Sequence, residues 1–182
     1  MIYLALSFTV LASVAVFSLR VVSRGESARD NFNHPGLERA AIIVVIPTLL
    51  CSLVIGLRHD TGTDYGRYIE HFNAIADGAG FFYREPGYVL MVRIVQSITE
   101  SSAAVFFALA LITNAFIFCG IGRLRNLSPV LIAAGVFGTE AILLQVNLVR
   151  QAAAIGIFFY AAQFIHARAL LRYTLLVLLA AS

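Results

Sequence analysis

The sequence predicts an all-α fold of the polytopic membrane class, a bundle of transmembrane helices in a single domain spanning residues 1–182. Three observations predict it. Hydrophobic residues make up 60% of the chain, with a mean hydropathy of +0.87, where soluble domains hold roughly 45–50%. Most of those residues fall in runs that approach the roughly 20 needed to cross about 30 Å of hydrocarbon. Arginines cluster in the short segments between the runs, alternating from one side to the other, as the bias for positive charge in the cytoplasm requires.

The elements follow in order. Residues 2–19, "IYLALSFTVLASVAVFSL", lack the positive leading region and small-residue cleavage pattern of a signal peptide, so they read as a retained helix. Residues 40–57 form a second span in which Pro47 predicts a kink. A polar outer loop covers 58–86. In 87–98, Leu90, Met91, Ile94, Val95 and Ile98 share one side and Arg93, Gln96 and Ser97 the other, so this segment predicts an amphipathic helix lying in the membrane interface. Spans follow at about 102–120, 129–146 and 152–166. A last apolar run begins near 169 and reaches Ser182 after barely ten apolar residues, so the chain reads as truncated.

Orientation follows if 87–98 does not cross. Arg20, Arg24, Arg29 and Arg39 then share the cytoplasmic side with Arg123, Arg125, Arg168 and Arg172. The N-terminus, the loop 58–86 and the turn around Arg150 lie outside. That outer loop carries Arg58, Arg67 and Arg84 against the charge bias, which points to a functional site there, although Asp60, Asp64, Glu70, Asp77 and Glu85 bring its net charge close to zero.

All thirteen basic residues are arginine, which grips phosphate with a planar fork, although general genome composition accounts for the bias equally well. Cys51 and Cys119 lie in apolar runs and behave as small hydrophobes, so they predict neither a disulfide nor a metal site. His59 and His71 lack metal-ligand spacing, and a solvated role outweighs a His59, Asp64 and His71 metal site. No phosphate-cradling glycine loop, nucleophile elbow or nucleic-acid patch is present, and no cofactor is predicted.

Three polar stretches carry chemistry. In "RHDTGTDY", Gly62 permits a tight turn with positive φ. That turn would gather Arg58, Asp60 and Asp64 at the mouth of the second span, where arginine holds phosphate and a carboxylate takes a proton; a solvated loop closed by local ion pairs is the equal alternative. In "YREPGY", Glu85 precedes the proline that opens the interfacial helix, which suits an acidic residue at a positive helix end and equally suits a carboxylate at headgroup depth. In "QVNLVRQ", Asn147, Arg150 and Gln151 are three and four residues apart and would share one helix face, with Glu140 deeper on it. Ionisable groups inside a span usually serve a site, and a structural pairing of Glu140 with an arginine is the alternative.

With these residues in view, "GLRHDTGTDYGRY", then "REPGY", then "NLVRQAAA" in that order resemble the EpsG family of bacterial polysaccharide-assembly membrane proteins, related to the Wzy-type polymerases, over roughly residues 40–166. The resemblance implies an inner-membrane polymerase, of glycosyltransferase C-like architecture, that moves undecaprenyl-diphosphate-linked repeat units on the periplasmic side for exopolysaccharide, capsule or O-antigen. It implies membrane lipid and other assembly proteins as partners, and no nucleic acid. Matching positions are Arg58, Gly62, Asp64, Tyr65 and Tyr68, then Glu85 and Gly87, then Asn147, Arg150 and Gln151. Family members continue to a later histidine-containing motif that lies beyond Ser182.

The expected catalytic set is Glu85 as base, Asp64 as organiser of the arginine site, and Arg58 and Arg150 on the leaving diphosphate. Asp60, Tyr65, Tyr68, Arg84, Glu140, Asn147 and Gln151 are expected to bind substrate. The alternatives are a glycosyltransferase using a polyprenyl-phosphate sugar, and a flippase or export component that moves lipid-linked glycan without chemistry.

Overall fold

The computed structural model describes residues 44–78, 85–123 and 145–182. All of their regular structure is helical: α1 (Ile46–Gly56), α2 (Tyr65–Ala76), α3 (Pro86–Gln96), α4 (Ala103–Ile121), α5 (Val149–Ala161), α6 (Gln163–His166) and α7 (Leu170–Ala180). The expected span at 2–19 and most of the one at 129–146 lie outside the described residues.

The central element is α4. Its 19 residues, at about 1.5 Å each, give it a length close to the hydrocarbon thickness, and among the described helices it alone is both long and apolar enough to cross a membrane. Helices α1 and α7 are apolar but have 11 residues each. α4 packs lengthwise against α1 and α5, and α7 packs on α5. The α1–α4 approach depends on Gly56, where an added Cβ would overlap the Phe107 backbone. Their seam buries Cys51, Ile55, Ala110, Ile117, Phe118 and Ile121. Within it Asn114 donates to the Ala110 carbonyl at 2.8 Å and lies 3.4 Å from the Ser52 hydroxyl, so its amide nitrogen is satisfied where water is excluded.

A second core closes one end of this bundle. The segment read as an outer loop contains α2, whose Tyr68, Phe72 and Ile75 recur at helical spacing and face inward. They meet Tyr88, Val89, Val92 and Val95 of α3 over Val105, Phe106 and Leu109 of α4 and Val149 and Ala153 of α5. A hydrogen bond from Gln96 Nε2 to the Phe72 carbonyl (2.7 Å) ties α3 to the last turn of α2.

Helix α3 lies within the segment expected to be the interfacial helix, and its apolar side is divided between the protein and the outside. Leu90, Ile94 and Ile98 point outward, Ile98 at 80% exposure, while Tyr88, Val89 and Val92 pack on the protein. The helix is apolar on two sides, and its period alone does not say which side finds the core.

At the opposite end of the bundle, the Arg123 guanidinium lies 5.5 Å from the Tyr160 ring centre, and Arg168 is exposed in the turn before α7. Arg58 and Arg150 are therefore separated from Arg123 and Arg168 by the length of α4 and α5.

Candidate functional site at the end of the helical bundle

The chain leaves α1 at Leu57 and turns back over α4. Gly62 takes the positive φ that its sequence context suggested (102°), and Asp60 also enters the left-handed region (φ 46°). Side-chain space adds a second requirement for glycine, because a Cβ at Gly62 would overlap the Val146 carbonyl oxygen. Positive φ and close backbone approach together make this a glycine position.

The turn presses on a segment far away in the chain. Residues 145–147 are helical, Leu148 departs to φ −122° and ψ 60°, and α5 starts at Val149. Asn147 therefore does not share a continuous helix face with Arg150 and Gln151, as its spacing suggested. Its Oδ1 instead accepts the Thr63 amide hydrogen at 3.2 Å. Arg58, at 7% exposure, donates from Nη1 to the Gln145 carbonyl at 2.9 Å, and its guanidinium lies 4.9 Å from the centre of the Phe106 ring. Among the described residues no ion pair joins Asp64 to Arg58. Asp64 occupies the N-cap of α2, and its carbonyl takes the Tyr68 amide at 3.2 Å. Asp60 is exposed.

Arg150 occupies a different setting. Its Nη1 donates to Glu85 Oε2 at 2.6 Å, with the two side chains 33% and 46% exposed. Its guanidinium stands 5.6 Å from the Tyr68 ring centre and 5.0 Å from that of Tyr88, two aromatic faces that attract a cation. The Tyr68 hydroxyl accepts the Arg150 backbone amide at 3.3 Å. Leu148, the N-cap residue, has no side-chain acceptor, so Tyr68 serves one of the orphan amides at the start of α5.

Glu85 is the N-cap of α3 and Pro86 its first residue, as the sequence suggested. The carboxylate makes no capping bond and reaches across to α5 instead. Tyr65 supports the group from below, stacked on Phe106 at 5.0 Å and 7°.

Beside this pair opens a cavity of about 540 Å³. Glu85, Tyr88, Arg150 and Gln151 form its polar end, and Met91, Leu109, Ile112, Phe116, Ile157 and Leu179 are among its apolar walls. A cation held by aromatic faces at the end of an apolar cavity is suited to an anionic headgroup whose aliphatic part follows the walls. Arg84 and Glu140 lie outside the described residues.

Sequence reasoning missed Tyr88, Gln145 and His71. Tyr88 and His71 follow Glu85 and Tyr68 by three residues, one helical turn, which was the available signal. The His71 ring lies 6.4 Å from both the Tyr68 and the Tyr88 ring. Burial, and secondarily the Arg150 charge, holds its imidazole below the usual histidine range against the opposing pull of Glu70 and Glu85. His59 leans on Tyr65 at 6.0 Å, and among the described residues no three His, Cys, Asp or Glu side chains group as metal ligands.

Three motifs separated by up to 87 residues thus converge at one end of the bundle. Residues 41–182 match the family model described as the EpsG family. No curated protein and no solved structure matches the chain.

Proposed function

The chain belongs to the EpsG family, and on that premise we propose that it is a membrane glycosyltransferase of polysaccharide synthesis, a polymerase that transfers glycan repeat units carried on a polyprenyl diphosphate. The observation that carries this reading is the Arg150–Glu85 pair, bracketed by Tyr68 and Tyr88 at the polar end of an apolar cavity. The donor's diphosphate meets Arg150, its isoprenoid chain follows the apolar walls, and its sugar faces outward.

In the resting site the Arg150 guanidinium is paired with Glu85. A diphosphate competes for the same guanidinium, because its oxygens accept the planar fork bidentately. Donor binding then frees the Glu85 carboxylate to take the proton of the acceptor hydroxyl. The acceptor oxygen bonds to the anomeric carbon as the bond from that carbon to the diphosphate oxygen breaks. The electron pair leaves with the diphosphate, whose growing charge Arg150 stabilises. One glycan passes to the acceptor, one polyprenyl diphosphate departs, and no nucleotide sugar is consumed. Gln151, on the same cavity rim, would hold a sugar hydroxyl.

Arg150 and Glu85 lie at the end of α5 and α3, whereas a transporter places ionisable groups near the bilayer midplane. This favours transfer over flipping. The test is a proteoliposome assay with the full chain and purified undecaprenyl-diphosphate glycan. Lengthened glycan with release of undecaprenyl diphosphate is expected. Movement across the bilayer without lengthening would establish the flippase instead, and lengthening only from a polyprenyl-monophosphate sugar would establish the other transferase.

The periplasmic orientation has its own check. In a chain lacking Cys119, a cysteine at Gly66, whose Cβ position has nothing within 4 Å, should react with an impermeant thiol reagent in spheroplasts. One at exposed Ala167 should not.

A further inference from the structure

We infer that Arg58 is a positioning residue, and that the turn 58–63 is a clamp holding open the helix break at Leu148, on which the placement of Arg150 depends. In an uninterrupted helix the Gln145 carbonyl would accept the amide of residue 149. The backbone departs from helical geometry at Leu148, so that carbonyl needs another donor, and Arg58 Nη1 supplies it at 2.9 Å. The next residues are held in the same way. Gly62 lies against the Val146 carbonyl, and the Thr63 amide donates to Asn147 Oδ1 at 3.2 Å.

Three consecutive residues, 145 to 147, thus each meet the turn through a polar atom. Two residues beyond the break, Arg150 starts α5 with its amide on the Tyr68 hydroxyl and its guanidinium on Glu85. Closing the break would wind the backbone at Leu148 and rotate Arg150 away from both. Arg58 is buried and does not line the cavity, so its effect on the donor passes through Arg150. The consequence for the reaction rests on the polymerase reading; the clamp itself does not.

The test uses the full chain in native membranes. With Cys51 and Cys119 replaced by alanine and Leu148 by cysteine, maleimide labelling at position 148 reports the break. Gly62→Ala, which removes no functional group, and Asn147→Ala should each raise the labelling rate about tenfold by opening the segment locally. An unchanged rate in both variants overturns the clamp. This arm needs no turnover, so it stands even if the polymerase reading fails.

Where polymer is made, Gly62→Ala and Arg58→Gln should each lower kcat by about a hundredfold, the scale of a misplacement near 1 Å. The double variant Arg58→Gln, Arg150→Gln should be no slower than Arg150→Gln alone, because the first residue acts through the second. Losses that multiply in the double variant would mean two independent grips on the donor and would overturn the positioning role, and equal kcat in Gly62→Ala and the unaltered chain would do the same.

Discussion

Arg58 and Arg150 meet the same end of the bundle in opposite ways. The first is sealed under a turn and bonds a neutral backbone carbonyl. The second is a third exposed, pairs with a carboxylate that is itself half in water, and borders a cavity. A buried cation with a fixed geometric task organises backbone, and removing it leaves polar groups unsatisfied. A partly exposed cation whose partner can be displaced is available to a ligand. On the clamp proposed above, the contrast would separate holding from binding at two positions that look equivalent as residue types.

The largest effect should come from exchanging each arginine for lysine. Arg150→Lys keeps the charge and loses the fork, and activity should fall roughly 10²–10³-fold, as when one transition-state donor is removed. Arg58→Lys can still offer a donor to one carbonyl, and its loss should stay near tenfold. Equal losses in a turnover assay would dissolve the distinction, and the reverse order would invert it.

Glu85→Gln should come next. It removes the proton acceptor and should slow transfer about 10²-fold or more, with lipid-linked repeat units accumulating in cells while donor binding persists. Normal polymer from this variant would shift the base elsewhere and leave Glu85 as the counter-ion of Arg150.

At the α1–α4 seam, Gly56→Ala should leave Arg150 and Glu85 in place and disturb the packing, because its methyl would meet the Phe107 backbone. Overpacking of this kind costs about 1–3 kcal/mol, to be read as a lower melting temperature of the purified protein. If that variant instead lost activity at unchanged stability, the seam and the turn that begins at Arg58, two residues on, would be coupled.

The smallest effect concerns His71, which faces Tyr68, Tyr88 and the Arg150–Glu85 pair, with Arg67 and Glu70 on its own helix. Its folded pKa lies below the unfolded value of 6.5. Between the two the unfolded chain binds more protons, so its contribution to stability is complete above about pH 6.5 and is lost as pH falls through the folded value. His71→Gln should flatten the melting temperature between about pH 8 and about pH 5. An unchanged slope would assign the acid sensitivity to the carboxylates.

Much of the molecule was legible locally. The apolar run at 102–120 predicts α4 to within a residue at each end, because length and composition suffice for a helix that is apolar all round. Gly62 between two threonines marked a positive-φ turn, and Glu85 before Pro86 marked a helix start, since backbone preference is written in the residue itself. What periodicity could not supply was which side of α3 faces inward, because both sides are apolar.

The break at Leu148 was equally hidden. "NLVRQAAA" reads as continuous helix, and the departure at Leu148 shows only in the structure, beside a turn more than 80 residues earlier. Composition, period and turn chemistry act over a few residues, so they sufficed for the long apolar helix, the glycine turn and the order of the three polar motifs, and not for α2, which lies inside the segment read as a loop. Which arginine is sealed and which is open, and that Tyr68 caps the helix carrying Arg150, depended on hydrogen bonds and ring contacts between residues 65 to 87 positions apart. No local pattern carries them, because burial is a property of what the rest of the chain places on top.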